Sequence, residues 1–416
     1  MTTDRRTRPT ARVVTLGLLL LVYTFNFVDR QILGILAPAI KADLALSDTQ
    51  LGLLGGLAFA LLYSTLAIPL AWLADRTSRT WVITASLAVW SGFTAACGLA
   101  TSFAQLFAFR LGVGVGEAGG VAPSYAVIAD TFPAGSRARA LAVYSLGIPL
   151  GSAAGVLLGG YIATRVDWRA AFFVVGLAGI VLAPIFRLFV RELVRDSAAN
   201  AQAPVSGVFA ILAAKPSFWL LAFGASASSM LGYGLAFWLP SLMKRSFGLD
   251  LVATAQFYGS ILLLGGVAGV LLGGILGDRL GAKDRGAYAK LPAIAFVIAV
   301  PLFAAGILSS SVAAAFLCFL IPQALAYVWL APVITAIQHL VPPHMRATAS
   351  ASFLLINNLI GLGGGSFVLG ALSDQLTPIY GEEALRYSML CGLVLYLVAA
   401  VLMWLAARPL RRDWVD

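Results

Sequence analysis

The 416-residue chain is 60% apolar and only 11% charged, whereas a soluble domain carries about 25% charged residues, so water is not its main solvent. Its net charge of +10 would suit nucleic acid if it were gathered on one face, but the charges fall between apolar runs and serve as a topology signal instead. A bilayer core about 30 Å thick takes some 20 apolar residues per helical pass. The pattern predicts an all-α membrane protein of twelve transmembrane helices, near residues 13–38, 50–73, 80–101, 103–130, 138–163, 169–190, 216–240, 254–276, 291–309, 312–334, 348–372 and 385–407.

The basic N-terminus lacks a small-residue cleavage motif, and the run after it is long enough to stay as a span. With both termini inside, the inner side holds 20 Lys and Arg and the outer side six: Lys41, Arg165, Arg169, Lys244, Arg245 and Arg386. That asymmetry orients the chain. The first span is interrupted by Asp29 and Arg30, with Asn26 one turn earlier on a similar face. Such charges are costly in hydrocarbon and mark a polar interior.

In the fourth span, Arg110 and Glu117 are seven residues apart, which is two turns on one face and about 10 Å of rise. The first and fourth spans are therefore expected to meet at a polar stripe. Two acids and two arginines sum to zero charge, which suits pairing in a dry cluster. The proton affinity of a carboxylate depends on burial and on a neighbouring arginine, so switching between arginine-paired and unpaired states is the expected coupling mechanism. Asp29 and Glu117 are expected to be the proton-coupling groups. Arg30 and Arg110 are expected to pair with them and to recognise an anionic head through two-pronged donation. Gly112, Gly116 and Gly120, and then Gly147, Gly151, Gly155 and Gly159 around Pro149, recur every four residues and read as close-packing faces.

Apolar runs pause at 191–215, the expected cytoplasmic linker between six-helix bundles at 1–190 and 216–416. A repeat crosses it. Asp75 and Arg76 are answered by Asp278 and Arg279 at an offset of 203, and Arg137 by Arg346 at 209. No charge interrupts the later spans at comparable depth. Their polar candidates are Ser226, Ser229, Tyr233, Tyr258, Gln323, Tyr327, Asn357 and Asn358, with Phe237 and Trp238 beside them. A charged N-terminal side and a neutral, aromatic C-terminal side suit an amphiphile. Cys97, Cys318 and Cys391 are packing residues, and His339 and His344 lack an acidic neighbour to make a zinc site. No cofactor or metal is expected, and no enzymatic activity.

Two six-helix halves with an Asp-Arg motif after the second and eighth spans resemble the major facilitator superfamily. The C-terminal copy of the loop motif, Gly274, Asp278, Arg279, Gly281 and Lys283, follows the family's pattern approximately, whereas Ala71 and Ser78 replace its glycines in the first copy. The resemblance implies that Asp75 and Asp278, with Arg76, Arg279, Arg137 and Arg346, hold a cytoplasmic gate closed.

Within that superfamily, FNFVDRQILGILAP and FRLGVGVGEAGGVAPSYAVIADTFP closely resemble the spinster family of lysolipid and sphingolipid transporters. This implies proton-coupled movement of a lysophospholipid or a sphingosine-1-phosphate-like lipid by alternating access. Its head would meet Arg30 or Arg110, near Asn26, and its tail would meet Tyr233, Trp238, Tyr327 and Asn357. Short termini and compact loops look bacterial, and a monomer in the inner membrane is expected. The rival within transport is a proton-coupled carrier of small organic anions such as sugar acids, which shares the Asp-Arg signature of the first span.

Overall fold

The computed structural model describes residues 9–190, 205–342 and 345–415. Among them every regular element is helical: α1 Pro9–Leu44, α2 Asp48–Gly55, α3 Leu57–Arg76, α4 Arg79–Cys97, α5 Phe103–Glu117, α6 Val121–Thr131, α7 Ala134–Ser145, α8 Gly147–Arg165, α9 Trp168–Phe189, α10 Val205–Ala213, α11 Pro216–Phe247, α12 Leu251–Gly281, α13 Ala287–Leu308, α14 Val312–Tyr327, α15 Leu330–Gln338, α16 Arg346–Asn357, α17 Gly363–Tyr380, α18 Ala384–Gly392 and α19 Val394–Asp413. A π-helical turn, Asn358–Leu362, joins α16 to α17. Ten stretches are long and apolar enough to cross a membrane. The last of them, Thr348–Asp413, has room for two crossings, and α5 with α6 makes another from helices each too short alone. That accommodates the twelve expected passes.

Helix starts follow local chemistry. Ser78, Ser102, Asp167, Asp250 and Ser311 each accept a hydrogen bond from the backbone N–H three residues on, satisfying a donor the helix leaves open. Several expected spans are divided between two helices, and in three of them a proline stands just past the break. A proline ring collides with the carbonyl four residues earlier and supplies no N–H. Pro123 thus interrupts the chain near Gly119, Pro149 near Ser145 and Pro332 near Val328, where the observed breaks fall. Pro123 and Pro332 are 209 residues apart, the same offset as Arg137 and Arg346.

By contacts the chain divides into two units: residues 1–36 with 61–196, and residues 37–60 with 197–416. The end of α1, α2 and the start of α3 therefore group with the second unit, although they precede the linker in sequence. Residues 191–204 of that linker lie outside the described residues, and most of the remainder forms α10.

Within the first unit, α8 seats α1 through its glycine face. A Cβ at Gly155 would stand 2.6 Å from the Val28 carbonyl oxygen, and one at Gly151 would collide with that of Thr24. The second unit repeats the device 210 residues later, where Gly361 and Gly365 meet Ser229 and the Met230 carbonyl of α11. Gly112 and Gly116 likewise seat α5 on Phe93 and Trp90 of α4. A further glycine row, Gly265, Gly269, Gly273 and Gly277 of α12, packs on Leu320, Ala324, Val328 and Pro332. The outward faces are apolar: Val174, Leu177, Val181 and Leu188 form an exposed stripe on α9, which is stable only against lipid.

Candidate functional site

Asp29 and Arg30 are consecutive on α1, so their side chains diverge by about 100° and engage different partners on α5. Arg110 Nη1 reaches Asp29 Oδ2 at 3.4 Å, and Arg30 Nε donates to Glu117 Oε2 at 2.8 Å. The seven-residue spacing on α5 brings one pair to each end of the two-turn stripe. Asp29, Arg110 and Glu117 are at most 1% exposed, whereas the Arg30 side chain keeps 11%. Every charge in the cluster is thus paired, the arrangement that makes burial tolerable.

Thr94 of α4 donates to Asp29 Oδ1 at 2.7 Å. This residue escapes a sequence reading because a threonine in an apolar run usually bonds its own helix, as Thr84 does to the Thr80 carbonyl. Asn26 is 2% exposed, and its Oδ1 accepts no hydrogen bond among the described residues. Glu117 ends α5, where unsatisfied carbonyls disfavour a carboxylate, and Arg30 offsets that field.

Aromatic rings surround this corner of the unit. The Arg30 guanidinium lies 4.6 Å from the Tyr63 ring centre and 5.1 Å from that of Phe27. Tyr23 stacks on Tyr144 at 4.3 Å and meets Phe27 edge-on at 5.2 Å, and Tyr125 meets Tyr144 at 5.4 Å. The charged side of the molecule is therefore also strongly aromatic, a feature hidden in sequence because its tyrosines come from four different helices.

The neutral candidates are in the second unit. Ser229 Oγ donates to Asn357 Oδ1 at 2.9 Å, with Asn357 4% exposed. Trp238 is fully buried, its indole N–H donating to the Ser366 carbonyl at 2.8 Å. Tyr233 and Tyr327 are partly exposed. The π-helical turn beginning at Asn358 sits beside this group, and such turns concentrate at functional positions.

A second ionic cluster, centred on Asp48, also belongs to this unit. Asp48 is 2% exposed and accepts from Arg245 through both Nη1 and Nη2, at 2.7 and 2.6 Å, from Lys41 at 2.5 Å and from Ser373 at 2.7 Å. Asp374 accepts the backbone N–H groups of Asp48 and Thr49, capping α2 from outside while Ser47 and Gln50 close a capping box. Lys41 and Arg245 read in sequence only as outer charges. The Ser-x-x-Gln spacing at Ser47 and Gln50 is a local sign of the start of α2, but it does not reach Arg245, Ser373 or Asp374.

Of the expected gate residues, Asp75 and Arg137 have side chains outside the described residues. Arg76 stacks 3.9 Å over Trp72, and Asp278 and Arg279 are exposed in the last turn of α12. Arg346 Nη2 approaches His339 Nδ1 at 3.2 Å; His344 lies outside the described residues. Sequence reading missed two further contacts. Arg79, three residues beyond Arg76, pairs with Asp130 at 2.5 Å. Asp284, between α12 and α13, is held well below the ordinary carboxylate range by two hydrogen bonds from Arg411, with the Gly286 N–H and Lys290 also donating.

Comparison with known proteins agrees with this architecture. Residues 19–365 match the family model described as Major Facilitator Superfamily. The chain is 38% identical over 407 residues to an "MFS-type efflux pump" of Mycolicibacterium smegmatis, covering 96% of this chain and 94% of that one. It is 29% identical to "Protein spinster" of Drosophila melanogaster, covering 87% of this chain and 62% of that longer protein. It is 28% identical to "Protein spinster homolog 1" of Homo sapiens, covering 93% and 79%. A crystal structure titled as a bacterial homolog of the human lysosomal transporter spinster, inward-facing and occupied, superposes with a TM-score of 0.86 at 29% identity, covering 99% of this chain and all of that one. With its paired buried charges on the first and fourth passes and these likenesses along nearly its whole length, the chain belongs to the major facilitator superfamily as a secondary transporter of the spinster family.

Proposed function

We propose that this transporter couples proton movement to transport of an amphiphilic anionic or zwitterionic lipid, a lysophospholipid or sphingosine-1-phosphate-like molecule, by alternating access. The observation that carries the reading is the double ion pair, Asp29 with Arg110 and Arg30 with Glu117, buried in a single unit. Two carboxylates whose charges are each balanced by one arginine exchange that balance for a proton when the arginine leaves. Asp29 and Glu117 take the proton-carrying role. Arg30 and Arg110 receive the anionic head beside Asn26, and Tyr233, Trp238, Tyr327 and Asn357 are the neutral substrate contacts. Asp75, Arg76, Arg137, Asp278, Arg279 and Arg346 gate the passage.

The two halves at 1–190 and 216–416, joined by the 191–215 linker, would act as a monomer in a bacterial inner membrane with cytoplasmic termini. Outward movement is supported by the name of the mycobacterial relative, an efflux pump.

The test is uptake of labelled lysophospholipid into proteoliposomes under an imposed pH gradient. Asp29→Asn and Glu117→Gln should each abolish the gradient-driven component while leaving lipid binding measurable. Full gradient-driven uptake by Asp29→Asn would overturn the coupling assignment. Competition separates the substrate classes: unlabelled lysolipid should block uptake, and blockade by small sugar acids instead would replace the lipid with a small organic anion.

A further inference from the structure

The two ion pairs of the first unit are not equivalent. Asp29 is enclosed: Arg110 reaches one oxygen, Thr94 donates to the other, and both ions are nearly inaccessible. Glu117 is bound on one oxygen only. Its Oε2 takes the Arg30 Nε–H, while Oε1 is buried and receives no hydrogen bond among the described residues. Arg30 is also the most exposed member of the cluster. Its guanidinium lies over the rings of Tyr63 and Phe27, at 4.6 and 5.1 Å, with the Glu117 carboxylate bound at its Nε. Two aromatic faces and a carboxylate with spare acceptor capacity are the chemistry of an organic-cation site, because ring quadrupoles attract a weakly hydrated positive charge without demanding directional hydrogen bonds.

We propose that Phe27, Tyr63 and Glu117 form a recognition box for an organic ammonium head, and that Arg30 is its internal occupant, displaced when such a ligand binds. Exchange of one monocation for another leaves the charge beside Glu117 balanced, so the buried carboxylate is never stranded. Arg110 does not move in the exchange, since its partner Asp29 is already held twice. Tyr63 is thereby a specificity-determining residue. The ligand class is an amphiphile carrying a quaternary or primary ammonium, with or without a phosphate.

This inference rests on the proposed function only in taking the first-unit cluster as the ligand site. Its test uses the purified full chain in nanodiscs, with binding followed by intrinsic fluorescence. Three probes are compared: decyltrimethylammonium, lysophosphatidylcholine, and lysophosphatidic acid, which lacks the ammonium. The first two should bind saturably and compete with each other, and the third should bind more weakly than lysophosphatidylcholine. Tyr63→Leu should weaken both ammonium probes by about fivefold to thirtyfold, the range of a desolvated cation–π contact. Tyr63→Phe, which keeps the ring, should stay within about twofold of the parent. Retained binding of lysophosphatidic acid by Tyr63→Leu certifies that this variant is folded.

Equal binding of decyltrimethylammonium by the parent and Tyr63→Leu, or no binding by either, overturns the box. Binding of both lysolipids without preference for the ammonium head overturns the box and leaves the lipid reading standing. Binding of decyltrimethylammonium with neither lysolipid does the reverse.

Discussion

Replacing Gly155 by alanine adds one methyl group at the point where α8 touches α1. That Cβ would stand 2.6 Å from the Val28 carbonyl oxygen, 2.9 Å from its Cα and 3.1 Å from its carbonyl carbon. All three atoms are backbone, so no side-chain rotation relieves the contact, and α1 must retreat by several tenths of an ångström to restore ordinary van der Waals separation. Overpacking of this kind costs about 1–3 kcal/mol, a few degrees in Tm for a unit of this size. Val28 immediately precedes Asp29 and Arg30, so the same retreat strains the 3.4 Å contact to Arg110 and the 2.8 Å bond to Glu117.

The control is Gly92→Ala on α4, where an added Cβ has nothing within 4 Å. It should raise stability by about 0.5–1 kcal/mol, because alanine loses less backbone entropy in a helix. Thermal unfolding in detergent and gradient-driven uptake, measured on both variants, give the comparison. Gly155→Ala should lose Tm and most of its uptake rate, and Gly92→Ala should lose neither. If Gly155→Ala matches the parent in both assays, the close seating of α1 on α8 is refuted.

Three further outcomes follow from the ion pairs. Asp48→Asn leaves Arg245 and Lys41 facing a neutral group, and loss of one partner from a largely buried pair costs about 3–5 kcal/mol; Asp48→Asn with Arg245→Met should recover part of the lost Tm, and strictly additive losses would refute the coupling. Arg79→Met should destabilise the first unit by less, since the Asp130 side chain is 37% exposed and solvent screens the pair; a Tm loss larger than that of Asp48→Asn would contradict this ranking. Asp284 has a folded pKa below its unfolded value of about 3.9, so its contribution is fully present above the unfolded value and disappears as pH falls through the folded one. The Tm difference between the parent and Asp284→Asn should therefore be constant from pH 8 to about pH 5 and shrink below about pH 4; shrinkage between pH 8 and 6 would rule out Asp284 as its source.

Much of this protein is legible in one dimension because the bilayer imposes a one-dimensional rule. Every pass must be apolar along its length, so exceptions such as Asp29, Arg30, Arg110 and Glu117 stand out and identify the first and fourth passes as neighbours. The repeat is legible for a similar reason: Asp75 with Asp278, and Arg137 with Arg346, keep their spacing whatever the helices do in space. Proline is only a partial guide: breaks fall before Pro123, Pro149 and Pro332, whereas Pro38, Pro69 and Pro184 lie inside unbroken helices.

What only tertiary structure decided is the choice of partners. Periodicity puts two acids and two bases on facing stripes, but which arginine meets which acid depends on how α1 is rotated and how deeply it sits against α5. Glycine contacts with α8 set that depth, and they are satisfied only when the helices pack. The same holds for Thr94 on Asp29 and for the rings of Tyr63 and Phe27 about Arg30. The Asp48 cluster was least accessible of all, since Lys41, Asp48, Arg245 and Ser373 are spread over more than 330 residues of chain, and no local pattern joins groups that only folding brings within hydrogen-bond reach.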